Sequence, residues 1–399
     1  MSTSFKTLLA SACAAMLLAA CGGNDAPSAA FTSVKIVGDS LSDTGAYGFR
    51  NTVQSSTGTP YPLWVDLIAN DTTQVPLCNF YQATALTQFN TLPGCGNHAV
   101  AGGRIQHPAQ GTALSIPQQL ADLRAQVGQA GFDARALVLI NGGGNDGGDL
   151  IAAYLQLAHS ALTGQGTAGV YAYAQFLAPV LGDAVLAPEQ LQALAQPGGA
   201  EAAAISYMQA LAQRLTADIQ TQVLNAGAQH VVVVTVPDLS RTPRLRTILQ
   251  ALVASQVAAG ASALQAQQQA ASLQTLFQNW VLAFNHELKA NFADHPQVAV
   301  ADIFEQLGQW EANPAQYGLD NATTAVCPPV QAPSAQNPLP IYDVRQCTDT
   351  ALDALAPAQQ LAAGWWNRYA FADDFHPTPR GHELMADAVR SALQAKGWH

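Results

Sequence analysis

Ser33-Val34-Lys35-Ile36-Val37-Gly38-Asp39-Ser40-Leu41-Ser42-Asp43-Thr44-Gly45 decides how this chain folds. A short apolar run stops at Gly38 and gives way at once to polar residues and glycine. That pattern predicts a buried strand whose carboxyl end turns into a helix. The pattern recurs outward along the chain. Residues 136–140 are apolar and end in Asn141-Gly142-Gly143-Gly144. Residues 230–236 are nearly all Val and end at Pro237-Asp238, and residues 298–302 form a shorter fourth run. Strands that read as continuous Val, Ile and Leu are covered on both faces, which predicts a mainly parallel sheet between two helical layers. Long Ala-, Leu- and Gln-rich stretches over 150–163, 200–226 and 245–292 supply the covering helices. Part of 150–199 is expected to lie over the site as an insertion. Its Tyr171, Tyr173, Phe176 and Leu177 read either as a lipid-facing wall or as ordinary core. No long-period repeat or linker divides residues 33–399, so one α/β domain is expected there.

The chain has 399 residues, 49% of them hydrophobic, and a formal net charge of −11. An acidic surface repels phosphate backbones, which argues against a nucleic-acid partner. At the N-terminus Lys6 precedes a short apolar stretch, 8–20, that ends in Leu18-Ala19-Ala20-Cys21. The stretch is too short for a permanent membrane span and reads as an export signal, residues 1–20. The small residues before Cys21 resemble a bacterial lipobox. On that reading Cys21 is lipidated, 21–32 is a flexible tether, and the protein is a membrane-anchored lipoprotein facing the periplasm or cell exterior. The alternative is an ordinary signal peptide and a secreted soluble protein. Once Cys13 and Cys21 are set aside, Cys78, Cys95, Cys327 and Cys347 remain. Export permits disulfides, and four cysteines allow three pairings. The two local pairs, Cys78 with Cys95 and Cys327 with Cys347, are favoured because each closes a short Pro-, Gly- or Asn-containing loop. A zinc site is the competing reading, weakened by the absence of Cys-x-x-Cys spacing.

Ser40 falls at a strand's carboxyl end, where open α/β sheets bind ligands. Alone, the run fits a helix cap equally well. The balance shifts with Asp373-Asp374-Phe375-His376-Pro377 near the C-terminus. Pro377 keeps His376 out of helical geometry, so the segment reads as a loop before a last helix over 380–396. There Asp373 can orient the imidazole, and the imidazole can take a proton from a hydroxyl. Asp374 is the rival carboxylate. Asp294-His295-Pro296 has similar chemistry at the wrong spacing. His98, His107, His159, His230, His286 and His382 read as surface, core or capping residues. Asn97-His98-Ala99-Val100-Ala101-Gly102-Gly103 and Gly143-Gly144-Asn145-Asp146 add backbone and side-chain N–H donors of the kind an oxyanion needs.

Taken together, four segments in order resemble the SGNH or GDSL hydrolase family: Gly38-Asp39-Ser40-Leu41, the segment 97–103, Gly143-Gly144-Asn145-Asp146, and 373–376. The resemblance runs from about residue 34 to the C-terminal helix. It implies the three-layer αβα hydrolase fold. It also implies Ser40 as nucleophile, His376 as base and Asp373 as its carboxylate, with Ser40, Gly102 and Asn145 as the oxyanion hole. The expected substrate is a carboxylic ester, lipid or short-chain, and no metal or organic cofactor is implied. An acyltransferase using an alcohol acceptor, and an inactive surface lipoprotein that only binds, are the alternatives. Residues 236–243 and Phe284-Asn285-His286-Glu287-Leu288 resemble segments of lipase-like and acyltransferase-like branches. Two departures bear on substrate shape: Ala372 stands where an aromatic is common, and Gly102-Gly103-Arg104 replaces Gly-Ala-Thr. The chain ends about twenty residues after His376, too few for the C-terminal barrel of some relatives.

Overall fold

The computed structural model describes residues 31–73, 75–109, 111–334 and 339–398; the signal and Cys21 therefore lie outside the described residues. In chain order the regular elements are β1 (Ser33–Val37), α1 (Trp64–Thr72), β2 (Tyr81–Ala85), β3 (Gln88–Thr91), α2 (Ile116–Val127), β4 (Ala136–Ile140), α3 (Gly144–Leu162), α4 (Gly166–Leu181), α5 (Pro188–Leu194) and α6 (Gly199–Ile219). They continue as β5 (His230–Val234), α7 (Pro243–Ala258), α8 (Ala263–Phe292), β6 (Val298–Ala301), α9 (Phe304–Ala312), β7 (Asn321–Ala325), α10 (Asp349–Gln359), β8 (Tyr369–Phe371) and α11 (Pro379–Ala395).

The four apolar runs become one parallel sheet in the order β1-β4-β5-β6. Successive strand residues point to opposite faces, so each strand feeds two cores. Val37, Val138, Ile140, Val231 and Val233 join a core with α2, α3, α4, α6 and α8. Val34, Ile36, Leu137, Leu139, Val232 and Val234 join a second core with α1, α9 and α11. Apolar burial on both faces is what stabilises such a sheet, at about 1.5–3 kcal/mol for each large side chain. Beyond β1 the sheet gains a short irregular edge. Gly96 O accepts from Ile36 N at 2.9 Å, and Ile36 O accepts from His98 N at 2.8 Å.

Several element ends differ from the sequence reading, each for a physical reason. The third run leaves the sheet after Val234 because Val236 pairs with a side chain. Asn285 of α8 accepts from Val236 N at 2.9 Å and donates to Val236 O at 2.8 Å. The fourth run stops at Ala301, and Asp302 Oδ1 accepts from Phe304 N at 3.1 Å at the start of α9. The long stretch 245–292 is two helices. Gly260 takes a φ of +98°, and Ser262 with Gln265 closes a reciprocal capping box at the start of α8. That Ser-x-x-Gln signal was present in the sequence. Residues 200–226 form α6 followed by a single π turn, Gln220–Leu224. No helix follows Gly38: residues 39–43 make one turn, with Ser42 N and Asp43 N donating to Asp39 O at 3.0 Å. Phe31 and Thr32, read as tether, belong to the domain. Phe31 is buried in the second core, and Thr32 N donates to Arg135 O at 2.9 Å.

Cysteine pairing follows the local arrangement: Cys78 is bonded to Cys95 and Cys327 to Cys347. The second bond lies in a small lobe where Val53, Leu352, Trp365 and Trp366 pack against Ala372. Val326 N donates to Phe371 O at 3.1 Å and Cys327 N to Ala372 O at 2.8 Å, so this lobe backs directly onto the segment leading to His376. Replacing Cys327 and Cys347 together by Ser is expected to lower unfolding free energy by about 3 kcal/mol, the chain-entropy value for a loop of this order. Urea denaturation measures this, and an unchanged midpoint would show that the lobe is held by packing alone.

Candidate active site

The carboxyl ends of the parallel strands converge on Ser40. Its turn is built by Asp39, whose Oδ1 accepts from Leu41 N at 3.0 Å and from Asn141 Nδ2 at 2.7 Å. With no helix here to cap, Asp39 instead closes a single turn and leaves the Ser40 hydroxyl uncommitted to the backbone. Asn141, just past β4, also accepts from Ser42 Oγ at 2.5 Å. Gly38 is needed for this closeness: a Cβ there would stand 2.0 Å from Asn141 Oδ1. Asp43 anchors the next turn, accepting from Gly45 N, Ala46 N, Ala101 N and Asn79 Nδ2 at 2.6–3.0 Å.

His376 reaches the same place from the far end of the chain. Its Nε2 lies 2.9 Å from Ser40 Oγ, across 336 residues of sequence, and its Nδ1 lies 2.7 Å from Asp373 Oδ2. The other Asp373 oxygen accepts from Phe375 N at 2.8 Å and His376 N at 2.6 Å. The imidazole is thus held in the orientation that leaves Nε2 facing the hydroxyl. Ala372 N donates to His376 O at 2.8 Å, which closes the loop on itself. Asp374 turns away and pairs with Arg244. The decoy pair sits elsewhere: Asp294 is exposed, and His295 packs beside Phe292. His98 is a core residue stacked on Phe80, His382 is buried in α11, and His159 and His286 are exposed.

The expected donors are close at hand. Ser40 N–H and Gly102 N–H have no intramolecular partner among the described residues. Asn145 is the second residue of α3 rather than part of a turn before a later helix, so it stands at a helix N-terminus. Its Nδ2 donates to Gly103 O at 3.0 Å, which uses one of its two hydrogens. Gly103 packs against the Ser40 turn, where a Cβ would stand 2.7 Å from Gly38 O and 3.3 Å from Asp39 Cα. This explains glycine at a position where the family pattern carries Ala. Arg104 is tied to Asp149 of α3 at 2.6 Å and to Gly102 O at 2.7 Å, bracing the same segment. Asp146 accepts from Ile105 N at 3.0 Å and Gln106 N at 2.8 Å, and burial pushes its carboxyl up to about 6.

Beside Ser40 lies a narrow slot of about 20 Å³ lined by Leu41, Val236, Leu239, Ile303 and Phe375 among others. None of this slot's lining comes from residues 150–199. Tyr173 and Leu177 are core, and Phe176 packs on Tyr207. Tyr171 is exposed and helps line a separate cavity of about 970 Å³ with Tyr154, Leu157 and Leu191. Leu157 is twelve residues along α3 from Asn145, roughly 18 Å at 1.5 Å per residue.

A family model for GDSL-like Lipase/Acylhydrolase matches residues 34–389. The chain belongs to that family. As a GDSL-type acylhydrolase it stands among hydrolases that act on esters, and its three-layer αβα fold and mainly parallel sheet are those of the family. The chain matches none of the curated proteins compared with it. Within this GDSL frame, the sequence reading overlooked Asn141, Asp43, Gln119 and Arg244. Asn141 carried a signal, since it immediately follows the second apolar run and so stands at a strand's carboxyl end. Gln119 carried none: it is a helix residue whose Oε1 accepts from Gly38 N at 2.9 Å.

The electrostatics around His376 set its proton affinity. Burial pushes the imidazole down, but the Asp373 charge and hydrogen bond, with Asp374 and Asp39 beyond, outweigh it and hold the pKa above 6.5. Asp373 is pushed up by burial and pulled down further by His376, ending below the ordinary carboxylate value. The raised His value stabilises the fold fully below the unfolded pKa near 6.5 and loses that contribution as pH rises through the folded value. The lowered Asp value stabilises above about 3.9 and fades as pH falls through its folded value. Proton NMR titration of the His376 ring is expected to give a midpoint above 6.5. In Asp373→Asn the midpoint should fall to 6.5 or lower, because burial then prevails. An unmoved midpoint would remove Asp373 as the dominant charge.

Proposed function

We propose that the protein hydrolyses carboxylic esters through an acyl-enzyme on Ser40. The observation that carries this reading is the continuous line Asp373–His376–Ser40, with hydrogen-bonding distances of 2.7 and 2.9 Å. His376 Nε2 takes the Ser40 proton as Oγ bonds to the ester carbonyl carbon. Negative charge develops on the carbonyl oxygen, which Ser40 N–H, Gly102 N–H and Asn145 Nδ2 receive. The tetrahedral adduct collapses, the C–O bond to the alcohol breaks, and His376 returns the proton to the leaving oxygen. Water then attacks the acyl-enzyme by the same path, and His376 again relays the proton. The free acid leaves and Ser40 is regenerated. Asp373 stays ionised throughout and holds the imidazolium.

The slot beside Ser40 favours short acyl groups. Its 20 Å³ is on the order of one or two water positions, enough for a methyl or ethyl group. Ser40→Ala is expected to abolish p-nitrophenyl acetate cleavage, a loss of about 10⁴-fold or more, with unchanged circular dichroism. Full activity in that variant would end the assignment. Across a p-nitrophenyl ester series, kcat/KM should fall from acetate to octanoate. Phe375→Ala, which opens one wall, should raise the octanoate rate relative to acetate. A profile rising with chain length would place the acyl group elsewhere.

We also propose that residues 1–20 are removed on export, that Cys21 is lipidated, and that a tether ending by residue 30 carries the hydrolase domain at a membrane surface. The lipobox pattern and the paired cysteines support export. No helix among the described residues is long and apolar enough to cross a membrane. Cys21→Ser is expected to move the protein from the membrane pellet to the soluble fraction and to abolish labelling by an alkyne fatty acid. Retention of both would rule out this anchor.

A further inference from the structure

Asp374 takes no part in the line from Asp373 to Ser40, yet its side chain is only 5% exposed. Two adjacent carboxylates buried together are costly unless one is matched by positive charge. The match is Arg244, the second residue of α7. Its Nη2 donates to Asp374 Oδ1 at 3.2 Å, and its Nε lies 3.0 Å from Oδ2 but off the donor axis. The backbone joins in: Arg244 N donates to Asp374 O at 2.9 Å. The guanidinium also sits 5.7 Å from the centre of the Phe375 ring. One residue from another helix therefore grips both positions between Asp373 and His376.

Building on the ester-hydrolase reading above, we infer that Arg244 is a positioning residue for the base: it clamps Asp374 and Phe375 and screens His376 from the Asp374 charge. The charged and titratable groups around His376 come from every side. Asp373 and Asp374 share its loop, Asp39 faces it from the turn after β1, and His382 faces it from α11, with Arg50 beyond. Tyr342 faces the two loop carboxylates, and Arg244 approaches from α7. His382 is pushed down to about 3 by burial and so stays neutral. Asp373 is held by His376 and by backbone N–H groups. Of the two loop carboxylates, Asp374 is the one that depends on Arg244. With Arg244 gone and Asp374 still ionised, the extra negative potential favours the imidazolium. More alkaline solution is then needed to free the base.

The experiment is the pH dependence of kcat/KM for p-nitrophenyl acetate in Arg244→Gln, Arg244→Lys, Asp374→Asn and the Arg244→Gln/Asp374→Asn double variant. Arg244→Gln should move the acidic limb upward by about half a pH unit, since a like charge left uncompensated near the imidazole favours its protonated form. It should also lower kcat about tenfold through looser placement of the base. Arg244→Lys keeps the charge and should keep the limb near its original place. Asp374→Asn leaves Arg244 unmatched and should move the limb downward. The double variant should return it. An unmoved limb in Arg244→Gln, or a limb that stays alkaline in the double variant, overturns the inference. So does a rise in KM alone, which would make Arg244 a substrate contact. Ser40→Ala separates the two levels: an inert Ser40→Ala with an unmoved limb in Arg244→Gln defeats only this inference, whereas an active Ser40→Ala defeats the reading beneath it.

Discussion

Polar groups crowd the carboxyl edge of the parallel sheet, and those that are buried are costly unless paired. That requirement organises the molecule around Ser40. Asp39 is satisfied by Leu41 N and Asn141, Asn141 by Ser42, Gly38 N by Gln119, and Asp43 by four N–H donors. These bonds come from the turn after β1, the residue after β4, α2, Asn79 and the segment 97–103. The Ser40 turn is consequently braced from several directions. A hydroxyl so placed costs little to align, because its neighbours are committed before any substrate arrives.

Charge is distributed with the same economy. Asp39, Asp373 and Asp374 all stand near His376, and together they overcome the burial that would otherwise keep the ring neutral. A base needs a proton affinity that is high but not so high that it stays protonated at working pH. Asp373 supplies orientation and most of the attraction, while Asp39 is drawn into hydrogen bonds with Leu41 and Asn141. Asp374 is drawn toward α7 by Arg244. One carboxylate is left to serve the imidazole directly, and its neighbours are engaged elsewhere.

Much of this was legible in the sequence, and the parts that were not share a cause. The four strands and the two local disulfides were read from local pattern and spacing, whereas the roles of Ser40 and of Asp373 over Asp374 came from the family resemblance. The misjudged features depend on partners distant in sequence. Val236 leaves the sheet because Asn285 takes its hydrogen bonds, forty-nine positions away. The break in 245–292 was the exception, since Gly260 and the Ser262–Gln265 box are local signals that long Ala- and Gln-rich flanks obscured. The insertion's aromatics divided between core and an exposed cavity wall, a choice that periodicity alone does not make.

The sequence by itself determined the parallel α/β sheet, because continuous Val, Ile and Leu runs stopped by glycine and polar turns have few stable alternatives to burial between helices. It also determined which residue types stood ready at the strand ends. Only the tertiary structure decided that Ser40 and His376 meet, that Gly103 must lack a side chain to let two segments touch, and that Arg244 answers Asp374. Those outcomes rest on distances between groups up to 336 positions apart. Chain order carries no direct record of such distances. They arise only when every buried strand, helix and polar group is satisfied at once.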